Sequence, residues 1–290
     1  MVLFAMSSLG TFGSGTPLVA VLGVVGPMVP SISGLLLGCV VGLILAPLVS
    51  VLTSRPPLLS ATEMPGIPFR CDACREQLSI ADSLPIVSFL ALGGKCRHCK
   101  APINRWDLGA EILSIALCGL VGWRVGLRWD LPAHLVVAAM GATVILVDAR
   151  LHKIATRLVY PVAVAVAVLL GVAVFADGSA GFALGDLGRA FLCGIAAFVF
   201  IWTLGIISPA GMGDGDARLV LSLGMLLGWH SYRLSYFGLL MGFLMGSVFG
   251  VALIVIRRGN RKTQIAFGPY LVAGALLVAI WPTAFGSIMA

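Results

Sequence analysis

Four cysteines stand in two pairs, Cys71-Asp-Ala-Cys74 and Cys96-Arg-His-Cys99, with 21 residues between the pairs. Two Cys-x-x-Cys knuckles at this distance can wrap one tetrahedral Zn²⁺ with four thiolates, because the short spacing turns both sulfurs of a knuckle toward the metal. Arg70, Arg75, Lys95 and Arg97 flank the pairs and offset part of the negative charge such a site would carry. Four protein ligands close the coordination shell, so the expected zinc is structural rather than catalytic. Two disulfides, free thiols or an iron centre are the other readings of the same pattern, and His98 is a further potential ligand. Cys39, Cys118 and Cys193 lie singly in apolar stretches and read as small core residues.

The second feature is a pair of aspartates. The chain holds only 12 acidic residues, and ionisable groups at membrane depth are costly and usually functional. Asp148 closes the apolar run Ala139-Met-Gly-Ala-Thr-Val-Ile-Leu-Val147. Asp216 lies in Gly211-Met-Gly-Asp-Gly-Asp216-Ala-Arg218, where another run begins. Two carboxylates brought together cannot both ionise easily, so the pair tends to share one proton. The ionised member can take a proton from water attacking a peptide carbonyl, while the protonated member donates to the carbonyl oxygen. Gly211, Gly213 and Gly215 would let the backbone take φ > 0 and approach an extended substrate. A single Asp at a helix end is by itself more often a cap or an interfacial anchor. That reading is given to Asp214, and it applies to Asp216 considered alone.

The elements that must position these groups follow from composition. Of 290 residues, 59% are hydrophobic and only 11% are charged, and mean hydropathy is +1.06. A soluble domain carries about 25% charged residues, so a bilayer is the expected solvent. The net charge of +7 does not indicate a nucleic-acid partner, because the basic residues sit in short loops between apolar runs. No positively charged segment precedes the first apolar run, so no ordinary secretory signal peptide is expected. A lead-in over residues 1–32 is apolar but broken by Pro27 and Pro30, and is read as re-entrant or as a poorly ordered approach.

Eight runs of spanning length or near it then appear, at about 33–53, 109–127, 131–148, 158–176, 188–208, 217–230, 235–256 and 267–286, the sixth being the shortest. Residues 162–175 alternate Val and Ala, but both are apolar, and an open strand cannot satisfy its backbone in lipid. The expected fold is therefore an all-α polytopic membrane protein. It has a first transmembrane helix at 33–53, a small four-Cys zinc module over 54–107, and a seven-helix membrane core over 108–290. If the first helix runs from outside to inside, 15 of the 19 Lys and Arg residues fall on the inner side. The positive-inside rule then makes the module cytoplasmic and puts Asp148 and Asp216 at the cytoplasmic edge of the bilayer. The insert also carries six prolines between Pro56 and Pro102, as expected for a loop-rich unit needing a staple.

These features together resemble the bacterial type IV prepilin peptidases. The resemblance covers about residues 38–280. It rests on the four-Cys insert, on Asp82-Ser-Leu-Pro-Ile-Val-Ser88, on Gly94-Lys-Cys-Arg-His-Cys99, and on Ile103-Asn-Arg-Trp-Asp-Leu-Gly-Ala-Glu111. It rests also on Gly211-Met-Gly-Asp-Gly-Asp216 followed by Arg218, where the family usually has Lys. The resemblance implies a membrane aspartic endopeptidase with Asp148 and Asp216 as its catalytic pair. Its implied work is to cut the basic leader from prepilins or pseudopilins at the cytoplasmic face of the bacterial inner membrane. It further implies, for many members, methylation of the new N-terminus with S-adenosylmethionine. Two segments depart from the pattern. Ile154-Ala155-Thr156 replaces Ile/Leu-Pro-Asp/Asn, and Ala46-Pro-Leu-Val-Ser-Val-Leu52 replaces the usual end of the first helix. Rival readings are a proton- or cation-coupled transporter, an inactive relative that binds precursors or assembles a machine, and a presenilin-like protease. The sequence names neither the individual pilin nor an oligomeric state.

Overall fold

The computed structural model describes residues 30–54, 71, 73–74, 76, 92–102, 105–151, 156–176, 180–207, 213–255 and 267–286. Residues 1–29 of the expected lead-in, the segment Asp82–Ser88, residues 152–155 and Gly211 lie outside these residues. Eight helices of 13 residues or more are formed among the described residues: α1 Ile32–Ser54, α2 Arg105–Val125, α3 Leu131–Leu151, α4 Thr156–Ala176, α5 Ala180–Ile207, α6 Asp214–His230, α7 Tyr232–Val255 and α8 Gly268–Ile280. A short α9, Pro282–Gly286, closes the series. There is no strand among the described residues, only an isolated antiparallel bridge between Lys95 and Pro102. The chain is thus the all-helical membrane protein its composition calls for, with the cysteine pairs between the first two helices.

Among the described residues six helices, α1 to α5 and α7, are long and apolar enough to cross a bilayer by length and composition. The sixth run is also helical, and begins three residues before the apolar stretch, at Asp214. The eighth run is divided where Trp281 leaves helical geometry and Pro282 follows. At 1.5 Å per residue α6 and α8 are only about 26 and 20 Å long. They are inner elements. Twelve residues of α6, from Asp216 to Trp229, are buried. Helix α3 is the hub, with 78% of its window Leu131–Asp148 buried, against 28% for α1. The outward faces of α1, α4, α5 and α7 carry Ile44, Val168, Phe200 and Val248, all exposed. That is the arrangement for a bundle whose outer solvent is hydrocarbon.

Small residues set the closest helix approaches, since lipid offers no hydrophobic drive between apolar surfaces. Gly34, Gly38 and Gly42 line one edge of α1 against Gly122, Cys118 and Ser114 of α2, and a Cβ on Gly38 would overlap the Cys118 carbonyl. The Ser114 hydroxyl donates to the Gly42 carbonyl across this seam at 3.1 Å. Cys118 and Cys193 are buried, Cys39 is partly so, and none is paired. They pack as the small core residues they were expected to be.

Candidate active site and metal cluster

Between α1 and α2 the second cysteine pair sits in a tight turn. Gly93 and Gly94 have φ of 59° and 72°, and Lys100 has φ of 61°. The left-handed step at Lys100 lies within the reversal that pairs Lys95 with Pro102. The Cys96 N–H donates to the Ala101 carbonyl at 2.8 Å, and the Lys100 N–H to the Cys96 carbonyl at 3.1 Å. The first pair is held by a Cys71 N–H bond to the Glu76 carbonyl at 3.0 Å. The four sulfurs of Cys71, Cys74, Cys96 and Cys99 all lie within 4.8 Å of one another, with 3.7 Å between those of Cys71 and Cys99. A tetrahedral zinc with Zn–S of about 2.3 Å needs sulfur edges of about 3.8 Å, so the donor set and its spacing fit a metal ion. Backbone N–H groups of Cys99 and His98 draw the Cys96 thiol down to about 7, whereas, against a backbone hydrogen bond at Glu76, desolvation and the neighbouring sulfurs push the Cys74 thiol up to about 12. His98 is not among the clustered ligands.

The two aspartates come from helices that are not neighbours in sequence. Asp148 sits in the last turn of α3 and Asp216 in the first turn of α6. Both are buried, at 3% and 7% exposure. They are close enough for Asp148 to be an electrostatic neighbour of Asp216. Each has one oxygen fixed by a helix start. The Gly268 N–H, opening α8, donates to Asp148 Oδ2 at 3.1 Å. The Gly213 N–H donates to Asp216 Oδ2 at 3.0 Å. Asp216 therefore does cap α6, as a carboxylate near a helix N-terminus should. Its other oxygen, Oδ1, is buried and has no hydrogen-bond partner. The Gly213 bond thus positions the Asp216 carboxylate through one oxygen only. Tyr270, in the first turn of α8, also lies within electrostatic reach of Asp148.

The neighbouring residues fall differently. Asp214 is 57% exposed and pairs with Arg218 one turn on. The Arg218 guanidinium lies 5.1 Å from the centre of the Tyr160 ring. Asp214 thus has the surface role expected of it, and Arg218 is engaged with Asp214 and Tyr160. Gly213 has φ −86° and ψ 154°, ordinary extended backbone, and Gly215 is inside α6. Neither uses the left-handed conformation anticipated from the glycine pattern. The physical reason is that the helix starts at Asp214, so Gly215 already has helical torsions. Helix α4 starts at Thr156. Gly268 and Tyr270 were not anticipated as part of the site. The Gly-Pro step before the last apolar run marks a helix start, and a helix start is a supply of free N–H donors.

The profile for the Bacterial Peptidase A24 N-terminal domain matches residues 40–125, from the middle of α1 to the end of α2 and so across the cysteine cluster. The Prepilin leader peptidase/N-methyltransferase of Pseudomonas aeruginosa is 30% identical over 216 residues, 73% of this chain and 70% of that protein. The protein of the same name from Bacillus subtilis is 27% identical over 212 residues, 73% of this chain and 80% of its own length. That from Pseudomonas putida is 26% identical over 272 residues, 84% of this chain and 90% of its own. No solved structure matches the chain. Membrane helices, a four-cysteine cluster between the first two of them, and relatives that match over most of both lengths lead to one assignment: the chain belongs to the prepilin leader peptidase/N-methyltransferase family.

Proposed function

We propose that this chain is a membrane aspartic endopeptidase that removes the basic leader of type IV prepilins or pseudopilins. Asp148 and Asp216 would be its catalytic pair. The observation that carries the reading is the pair itself: two buried carboxylates from separate helices, each held through one oxygen by a backbone N–H at a helix start. In the proposed reaction one carboxylate accepts a proton from water as the water oxygen bonds to the scissile carbonyl carbon. The other donates its proton to the carbonyl oxygen. The tetrahedral intermediate then breaks its C–N bond, and the departing amine takes up a proton. A pair of this kind titrates as a unit, so the roles belong to the pair.

The basic loops support a cytoplasmic site in the bacterial inner membrane, with the cysteine cluster on the same side. The donor set supports zinc as the ion of Cys71, Cys74, Cys96 and Cys99, with a structural role. Thiolates of Cys71, Cys74, Cys96 and Cys99 would hold it and so staple the loop-rich module between α1 and α2. S-adenosylmethionine would supply the methyl group if the new terminal amine is methylated, as the relatives' name implies for them.

The test is a cleavage assay in detergent with a prepilin-like substrate whose leader is basic and ends in Gly, read by mass spectrometry. Cleavage after the leader by the wild-type chain and none by D148N or D216N is the expected result. A methyl increment on the product, dependent on S-adenosylmethionine, reports the second activity. Intact, zinc-loaded protein that leaves every such precursor uncut would defeat the proposal.

A further inference from the structure

At the end of the bundle opposite the aspartates lies a second cluster. Asp130 precedes α3 by one residue, His134 is in the first turn of α3, and His230 ends α6. Along α3, Asp130 is 18 residues from Asp148, or about 27 Å at the helical rise. Asp130 and His134 are 3% and 1% exposed, and the His230 side chain is 13% exposed. One ligand atom from each of the three lies within 4.8 Å of the others.

The hydrogen bonds fix what these atoms present. His134 Nδ1 is 2.9 Å from the Asp130 carbonyl oxygen. A carbonyl can only accept, so Nδ1 carries the proton and neutral His134 offers a lone pair at Nε2. That Nε2 is 3.2 Å from His230 Nε2, and His230 Nε2 is 3.4 Å from Asp130 Oδ2. Arg128 Nε donates to the other oxygen, Oδ1, at 3.0 Å, which turns Oδ2 toward the histidines. Arg189 donates through Nε to the Gly228 carbonyl at 2.7 Å and through Nη2 to the Trp229 carbonyl. It thereby pins the last turn of α6 that carries His230. A proton on His230 Nε2 could satisfy the lone pair of His134, yet Asp130 Oδ2 would remain buried without a hydrogen bond, as it is here. A cation satisfies all three atoms at once. Tetrahedral zinc with bonds of about 2.0–2.2 Å has ligand edges of about 3.3–3.6 Å, and the edges of 3.2 and 3.4 Å lie within about 0.1 Å of that range. The supporting contacts also have the form metal sites use: the histidine's far nitrogen donates to a carbonyl, and the carboxylate's far oxygen is held by a guanidinium.

We propose that Asp130, His134 and His230 bind one divalent transition-metal ion, zinc in the first instance. The fourth position would be left for water, and the ion would tie the loop between α2 and α3 to the end of α6. The site is distinct from the four-cysteine cluster and does not depend on the proteolytic reading.

The full chain, purified in detergent without a histidine tag, is equilibrated with micromolar free zinc, desalted and assayed for metal per chain. H230Q and H134Q should each hold one equivalent less than the wild type, a fall from two to one if the cysteines are also loaded. The difference is the measured quantity, whatever the cysteines hold. Equal metal content in wild type and both folded variants overturns the proposal. If the variants do not fold, cobalt substitution of the wild type decides. A second cobalt equivalent without thiolate charge-transfer absorption sustains the site, and binding confined to thiolate-ligated cobalt overturns it.

Discussion

Replacing Asp148 by asparagine keeps the shape of the side chain and removes its charge. The Gly268 N–H that donates to Asp148 Oδ2 at 3.1 Å would still find an amide oxygen. The loss is the difference between a charge-assisted and a neutral hydrogen bond, about 1 kcal/mol. In a protein of this size that moves the thermal midpoint by about 2–4 °C. Alanine differs, because it leaves the Gly268 N–H buried without its acceptor, at a cost of about 1–3 kcal/mol. Catalysis responds on another scale. A group that moves a proton in the transition state contributes roughly 10²–10⁴ in rate, or about 2.7–5.5 kcal/mol. D148N should therefore melt close to the wild type and cut at least a hundredfold more slowly, while D148A should be both inactive and clearly less stable. The assay is leader cleavage in detergent at substrate well below KM, beside thermal unfolding of the same preparations. D148N cleaving within tenfold of the wild-type rate would refute the assignment. Equal destabilisation by D148N and D148A would refute the role given to the Gly268 bond.

Four further outcomes are expected. D148N/D216N should cleave no more slowly than either single variant, because groups acting as one unit do not lose rate additively; a product of the two separate losses, seen in the same assay, would mean independent roles. C74S should lower both purified yield and bound zinc, with activity falling in proportion to folded protein, as elemental analysis and size-exclusion recovery will report. G38L should break the seam where Gly38 meets the Cys118 carbonyl, lowering the thermal midpoint by the equivalent of about 1–3 kcal/mol or more. Leu37→Ala on the outward face, where the side chain is 41% exposed, should leave the midpoint nearly unchanged.

The membrane character, the helical fold and the cysteine cluster were legible in the sequence because each rests on local quantities. Too few charges to cover a globule, apolar runs of spanning length, and paired knuckles do not depend on distant contacts. Asp148 and Asp216 could be singled out for the same reason, as rare carboxylates at the ends of apolar runs. What their oxygens touch depends on how α3, α6 and α8 pack. Gly268 is 120 positions from Asp148, and nothing in either segment names the other. The short length of α6 reads as weakness in a hydropathy scan, yet it is a buried helix, and its early start removes the need for left-handed glycines at 213 and 215. Asp130, His134 and His230 carried no pattern at all, since His134 and His230 are 96 positions apart and a lone histidine on an apolar helix is usually a core residue. Composition and spacing determined the solvent, the helices and which residues could do chemistry. Only the tertiary structure decided which of those residues meet, because helix packing joins positions that sequence distance keeps apart.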